Sequence, residues 1–253
     1  MMTTQPNLNQ PGTIAVALMA TTIAELTQQL RQLQTLTVRQ PLVIEWRLDA
    51  WHDLSAWSEL AQANQQIKQA CPDLPLLLTW RTEQPGQPEV SSDRYQDQMT
   101  DLIEHLHGDL WDLEVAQTAA LEPLRHLLGP TMPIVWSQHF WQPQTRQQLQ
   151  LALVHAQTWA APADYLKVAT WAASPADCLA LLEATWWAHQ RLAPALITMA
   201  MGPAGQITRV LGPLFGSAWS FGALTAVGSA PGQLPLRRLD QQLTTLTAAM
   251  KGK

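Results

Sequence analysis

The amino-acid sequence predicts an α/β fold, a single (β/α)8 barrel of the TIM type, on three observations. Apolar runs of strand length recur eight times, a stretch with helical periodicity follows each, and the 253-residue chain is the size such a barrel needs. No shift in composition marks a boundary, so residues 1–253 read as one barrel domain with 1–12 as a short polar N-terminal extension. No glycine-rich GxGxxG turn follows the first strand, which weighs against an open dinucleotide-binding sheet.

Residues 13–19 form the first apolar run, and 22–37 follow with Leu26, Leu30 and Leu33 at helical spacing. The second pair is 42–49 and 56–71, the third 75–82 and 92–106, the fourth 109–115 and 117–128. Strands are then expected at 133–140, 164–171, 195–202 and 217–223, with helices at 144–159, 175–191, 206–213 and 236–250. Ser174 before Pro175 matches an N-cap followed by proline at the first helical position.

Composition narrows the function. The net charge is −5, and the 15 basic residues are scattered singly, which excludes a nucleic-acid stripe. Tryptophans number 12, but no basic residues interleave with them, so they read as packing between barrel and helices, Trp57, Trp159, Trp186 and Trp187 among them. Every apolar run is interrupted before it could span a bilayer and the first 12 residues have no apolar signal core, so a cytoplasmic protein without a membrane partner is expected. Cys71 and Cys178 lie far apart without ligand-spaced histidines and read as packing residues. His105 and His107, two apart on a helix, do not face each other and are assigned to a solvated helix end; no metal site is expected.

Barrel chemistry collects at the C-terminal ends of the strands. The polar residues that interrupt the strand runs there are Glu45, Arg47, Arg81, Asp112, Glu114, His139 and Lys167. Glu45 and Arg47 are two apart and share one face, while Trp46 and Leu48 point to the other. Lys167 stands inside an apolar run, where an ammonium loses hydration and must be paired, snorkelling or tuned for chemistry. Asp112 and Glu114 are read as partners of the mouth arginines.

The segments Ile44–Asp49, Thr79–Thr82, Ser137–His139, Leu166–Ala169, Thr198–Gly202, Phe215–Ser217 and Ser229–Gln233 stand in order at successive strand ends, and together they resemble type I 3-dehydroquinate dehydratase over about residues 13–250. The resemblance implies dehydration of 3-dehydroquinate to 3-dehydroshikimate in the shikimate pathway, by a homodimer with no metal or organic cofactor. It implies Lys167 as the Schiff-base lysine and His139 as general acid and base, roles the residue types can fill. Arginines near Lys167 are expected to favour its neutral, nucleophilic form. It further implies a carboxylate pocket of Arg209, Ser229 and Gln233, and hydroxyl contacts from Glu45, Arg47 and Arg81. Met199, Met201 and Phe221 would be apolar walls. Another Schiff-base barrel of aldolase type, or a non-catalytic binder of a shikimate-like acid, are the alternatives; the first has no reason to keep the Arg209 set, the second none to keep Lys167 with His139.

The sequence also departs from the family pattern. Pro85 stands where the family has a glutamate near the histidine, and Phe140 where it has an aspartate. Glu83, two residues beyond Arg81, either partners His139 instead or is an exposed loop carboxylate that leaves the histidine unaided. Only 12 residues precede the first strand, so the family's N-terminal hairpin is expected to be shortened or missing, and deletion of Met1–Gln10 to cost little stability.

Overall fold

A computed structural model describes residues 8–225 and 228–251. Strands and helices alternate as β1 (Thr13–Leu18), α1 (Ile23–Gln34), β2 (Leu42–Arg47), α2 (Trp57–Ala70), β3 (Leu76–Thr79), α3 (Ser92–His105), β4 (Leu110–Glu114) and α4 (Thr118–Leu128). They continue as β5 (Ile134–Phe140), α5 (Arg146–Gln157), β6 (Tyr165–Trp171), α6 (Pro175–His189), β7 (Ala195–Met201), α7 (Gln206–Leu211), β8 (Trp219–Ala223), β9 (Leu234–Pro235) and α8 (Leu236–Lys251). The strand order is β7-β6-β5-β4-β3-β2-β1-β8-β9, all neighbours parallel. A parallel bridge from Leu196 to Ser217, with the Ala218 N–H donating to the Leu196 carbonyl at 2.7 Å, joins β7 to the approach of β8. That bridge brings the two ends of the sheet together and makes a (β/α)8 barrel.

Two apolar layers follow from the alternation of side chains along each strand. Trp46, Leu48, Leu78 and Val168 join the outer layer under the helices, while Val43, Leu77, Val135, Ile197 and Phe221 fill the barrel. The same alternation turns Glu45 and Arg47 inward on either side of Trp46. Helix α6 begins as expected: the Asp177 carboxylate accepts from the backbone N–H of Ser174 at 2.8 Å and from its hydroxyl at 2.9 Å, and Pro175 occupies the first turn.

Some details differ from the sequence reading. The third strand ends at Thr79, so Arg81 projects from the loop after it, and the eighth starts only at Trp219 because Gly216 turns the chain with φ of 98°. The short β9 escaped notice because two residues carry no periodicity. Trp186 is not in the packing layer but is 46% exposed; Trp57, Trp159 and Trp187 do pack against the outer layer. Cys71 and Cys178 are buried, and His105 and His107 lie exposed at the end of α3, the former stacked on Trp57.

The start of the chain also differs. Residues 1–7 of the N-terminal segment lie outside the described residues, and no antiparallel strand precedes β1 among those described. Leu8, however, packs against the interior cluster, and its carbonyl accepts the indole N–H of the buried Trp219 at 2.7 Å. Deleting residues 1–10 would leave that donor unpaired, so it is expected to cost about 1–3 kcal/mol rather than little. Urea denaturation of the truncated and full chains measures the difference.

Candidate active site

The register of β5 and β6 sets the two central residues. Ser137 pairs with Lys167 and His139 with Ala169, so Lys167 and His139 share the inward face on adjacent strands. The Lys167 ammonium donates to Asp112 Oδ2 at 3.0 Å, lies 3.6 Å from Glu45 Oε1 and sits 4.7 Å above the centre of the Phe221 ring. The groups that meet its nitrogen directly are therefore two carboxylates and a phenyl face, while the arginines expected near it, Arg47, Arg81 and Arg209, line the same cavity.

Behind the lysine runs a network of buried ions. Arg81 donates through Nη2 to Asp112 Oδ1 at 2.6 Å and through Nη1 to Glu114 Oε1 at 2.9 Å and Ser137 Oγ at 2.8 Å. Burial disfavours the Arg81 cation, but Asp112 and Glu114 outweigh it and hold the proton more firmly than usual. Glu114 also accepts from the backbone N–H groups of Thr82 and Glu83 and from the Thr82 hydroxyl. These bonds fix the start of the loop after β3. The partners expected for Asp112 and Glu114 are thus found in Arg81, which leaves that guanidinium less free to hold a substrate hydroxyl.

Arg47 is clamped by Asp49, with Nε to Oδ1 at 2.8 Å and Nη2 to Oδ2 at 2.7 Å, and reaches the Ser229 carbonyl at 3.4 Å. Asp49 also accepts from the Arg81 backbone N–H and the Gln84 amide. Sequence reasoning gave neither Asp49 nor Ser137 a role. A signal existed for Asp49, which follows Arg47 by two residues in a strand-like run.

Arg209 is different from the other two arginines. It is 1% exposed, its Nε and Nη1 have no hydrogen-bond partner, and Nη2 reaches only the Pro231 carbonyl at 3.5 Å. Burial without a counter-ion pushes it down to about 10. Ser229 and Gln233 face it as a reciprocal pair: the Ser229 backbone N–H donates to Gln233 Oε1, and Gln233 Nε2 donates to Ser229 Oγ, both at 2.8 Å. Gly232 lets this loop close on the barrel, since a Cβ there would lie 2.3 Å from the Gly202 carbonyl oxygen.

One cavity collects these groups. Glu45, Arg47, Arg81, His139, Lys167, Met199, Met201, Arg209, Phe221, Ser229 and Gln233 all line one narrow cavity of about 40 Å³, together with Ala169 and Ala230. Every residue expected to be catalytic or substrate-binding is in that lining. Glu83 and Pro85 line an adjoining groove that shares His139. Glu83 Oε2 lies 3.7 Å from His139 Nδ1, and both atoms are buried without a hydrogen-bond partner. Burial, with Glu114 nearby, pushes Glu83 up to about 7. Burial, followed by the charges of Arg81 and Lys167, lowers His139 well below the usual imidazole range. Glu83 therefore stands beside His139, and burial disfavours the charged form of each.

Fold and cavity together define a class: a (β/α)8 barrel enzyme whose amine, imidazole and buried guanidinium with two unpaired nitrogens meet at the C-terminal ends of the strands. The family model for type I 3-dehydroquinase matches residues 14–250. A 3-dehydroquinate dehydratase of Enterococcus faecalis is 33% identical over 237 residues, covering 92% of this chain and 91% of its own. One of Geobacillus kaustophilus is 34% identical over 223 residues, 86% of this chain and 85% of its own. Among solved structures, the Geobacillus kaustophilus enzyme superposes with a TM-score of 0.83 at 27% identity, covering 94% of this chain and 92% of that one. The Clostridium difficile type I enzyme, solved with covalent modified comenic acid, gives 0.82 at 25% identity over 95% and 94%. The chain belongs to the type I 3-dehydroquinase family.

Proposed function

We propose that the chain dehydrates 3-dehydroquinate to 3-dehydroshikimate in the shikimate pathway, through an imine at Lys167 with His139 as general base and then general acid. The observation that carries this reading is the single cavity that unites Lys167, His139 and a buried arginine with two unpaired nitrogens. The Lys167 amine adds to the ketone carbon, water leaves, and an iminium forms. That iminium is the electron sink, so the step asks for no metal or organic cofactor. His139 removes a proton from C2, the electron pair runs into the C=N bond as an enamine, and the returning pair expels the C1 hydroxyl as His139 hands its proton to the departing oxygen. Hydrolysis of the conjugated iminium releases the enone and restores the lysine.

Arg209 receives the substrate carboxylate, with the Ser229 and Gln233 pair beside it. Glu45, Arg47 and Arg81 line the wall toward the ring hydroxyls, and Met199, Met201 and Phe221 supply apolar walls. No helix among the described residues is long and apolar enough to cross a membrane. A homodimer in the cytoplasm belongs to the same reading.

Glu83 takes the place beside His139 that Pro85 vacates. Because Glu83 holds its proton up to about pH 7, it orients the imidazole as a carboxylate only above that value. The rise of enone absorbance with 3-dehydroquinate tests activity, and its pH profile tests the partnership. A limb of kcat/KM near pH 7 is expected in the wild type and should vanish in Glu83→Gln, while the His139 limb stays well below it. Identical profiles would leave His139 working without this partner. The sign for stability is separate. The folded protein keeps a proton that the unfolded chain sheds above 4.5, so stability is full below 4.5 and falls by roughly 2–3 kcal/mol as pH rises through 7. Glu83→Gln should therefore stabilise the protein at pH 8 and not at pH 4.

A further inference from the structure

We propose that Asp112 is the dedicated counter-ion of the Lys167 nitrogen, facing it as the ammonium before reaction and as the iminium during it. The proposal rests on the imine reading above. Three observations separate Asp112 from the other carboxylate near the lysine. Its Oδ2 is 3.0 Å from Lys167 Nζ, against 3.6 Å for Glu45 Oε1. Its other oxygen, Oδ1, is held by Arg81 Nη2 and by the Ser137 hydroxyl, both at 2.6 Å, which leaves Oδ2 with the lysine as its bonding partner. Glu45 lines the cavity that the substrate would enter, whereas Asp112 does not and is fully buried behind it.

The charge arithmetic of the reaction suits a fixed carboxylate. The ammonium first passes one proton on as it becomes the attacking amine. Its nitrogen bonds the ketone carbon, the carbonyl oxygen collects two protons and leaves as water, and one N–H remains on the iminium. From ammonium to iminium the nitrogen site has lost two protons and kept one positive charge. A carboxylate set against the first cation is therefore already set against the second, with no reorganisation of that charge. Burial alone would push Asp112 up, but Arg81, then Lys167 and the Ser137 hydroxyl, hold it ionised well below the usual carboxylate range. The other charged or titratable groups around the nitrogen are Glu45 from β2, His139 from β5 and the cavity arginines Arg47, Arg81 and Arg209.

The test is cyanoborohydride, which reduces the iminium, applied with 3-dehydroquinate over a pH series, with mass measurement of the Lys167 peptide. In the wild type the adduct should persist into alkaline solution. In Asp112→Asn the alkaline limit of trapping should fall by about one to three pH units, the scale of one opposite charge at this distance. Asp112→Glu should restore most of it, as a merely structural loss would not. Should Asp112→Asn fail to fold, Glu45→Gln still decides: it should weaken substrate binding but leave the alkaline limit in place, and a shift as large as that expected of Asp112→Asn overturns the assignment. An Asp112→Asn limit equal to that of the wild type also overturns it. No adduct in an active wild type is a different result, since it removes the imine reading itself.

Discussion

Replacing Lys167 by alanine is expected to lower turnover by about 10⁴-fold or more, the scale of loss when the nucleophile of a covalent mechanism is deleted. General base catalysis by His139 alone cannot substitute, because the carbanion beside an unactivated ketone has no cationic sink. Borohydride added to the wild type with 3-dehydroquinate should reduce the imine and leave an irreversible adduct at Lys167, read by peptide mass mapping. An adduct at Lys68 instead, or an active enzyme without any adduct, would remove Lys167 from the mechanism. The substitution also strips Asp112 Oδ2 and Glu45 Oε1 of their shared cation. Some stability is lost with it, and a melting curve is needed beside the activity assay.

Arg209→Met should move binding and stability in opposite directions. A buried guanidinium without a counter-ion is a charge the folded state holds at a cost, and the drop from 12.5 to about 10 corresponds to about 3 kcal/mol. The sign is that of a base held down by burial: the unfolded chain binds its proton more tightly, so at neutral pH the folded state is penalised and an apolar side chain of similar length relieves the penalty. The free protein should therefore become more stable. The substrate carboxylate, deprived of its cation, should bind more weakly by about 2–5 kcal/mol, seen as a rise in KM of at least tenfold. A variant with an unchanged KM would exclude Arg209 from the carboxylate pocket. A less stable variant would mean that an internal partner satisfies the guanidinium.

Much of the fold was legible because the barrel writes itself locally. Strand runs such as 13–19 and helical leucine spacings such as Leu26, Leu30 and Leu33 depend on the one-dimensional pattern, and the observed elements differ from the expected ones mostly at their ends. The candidate site was legible for a related reason. A charge in an apolar strand is conspicuous, so Glu45, Arg47, His139 and Lys167 announced themselves, and all of them line one cavity. Trp186 and Leu8 were read less well, since exposure of the first and the buried partner of the second depend on distant segments.

What the sequence determined by itself, then, is the order of elements, the inward face of each strand and the inventory of reactive groups, all properties of neighbours along the chain. Which charge answers which was decided only by the tertiary structure. Asp112 looked like an arginine partner and also serves the lysine 55 positions away; Glu83 looked like an anion and is pushed up to about 7. Arg209 proved to be the arginine with unpaired nitrogens, while Arg47 and Arg81 are held by carboxylates. The physical reason is that Coulomb energy and desolvation vary over a few ångströms. Those separations come into existence only when parallel strands from opposite ends of the chain are brought into register around a closed barrel.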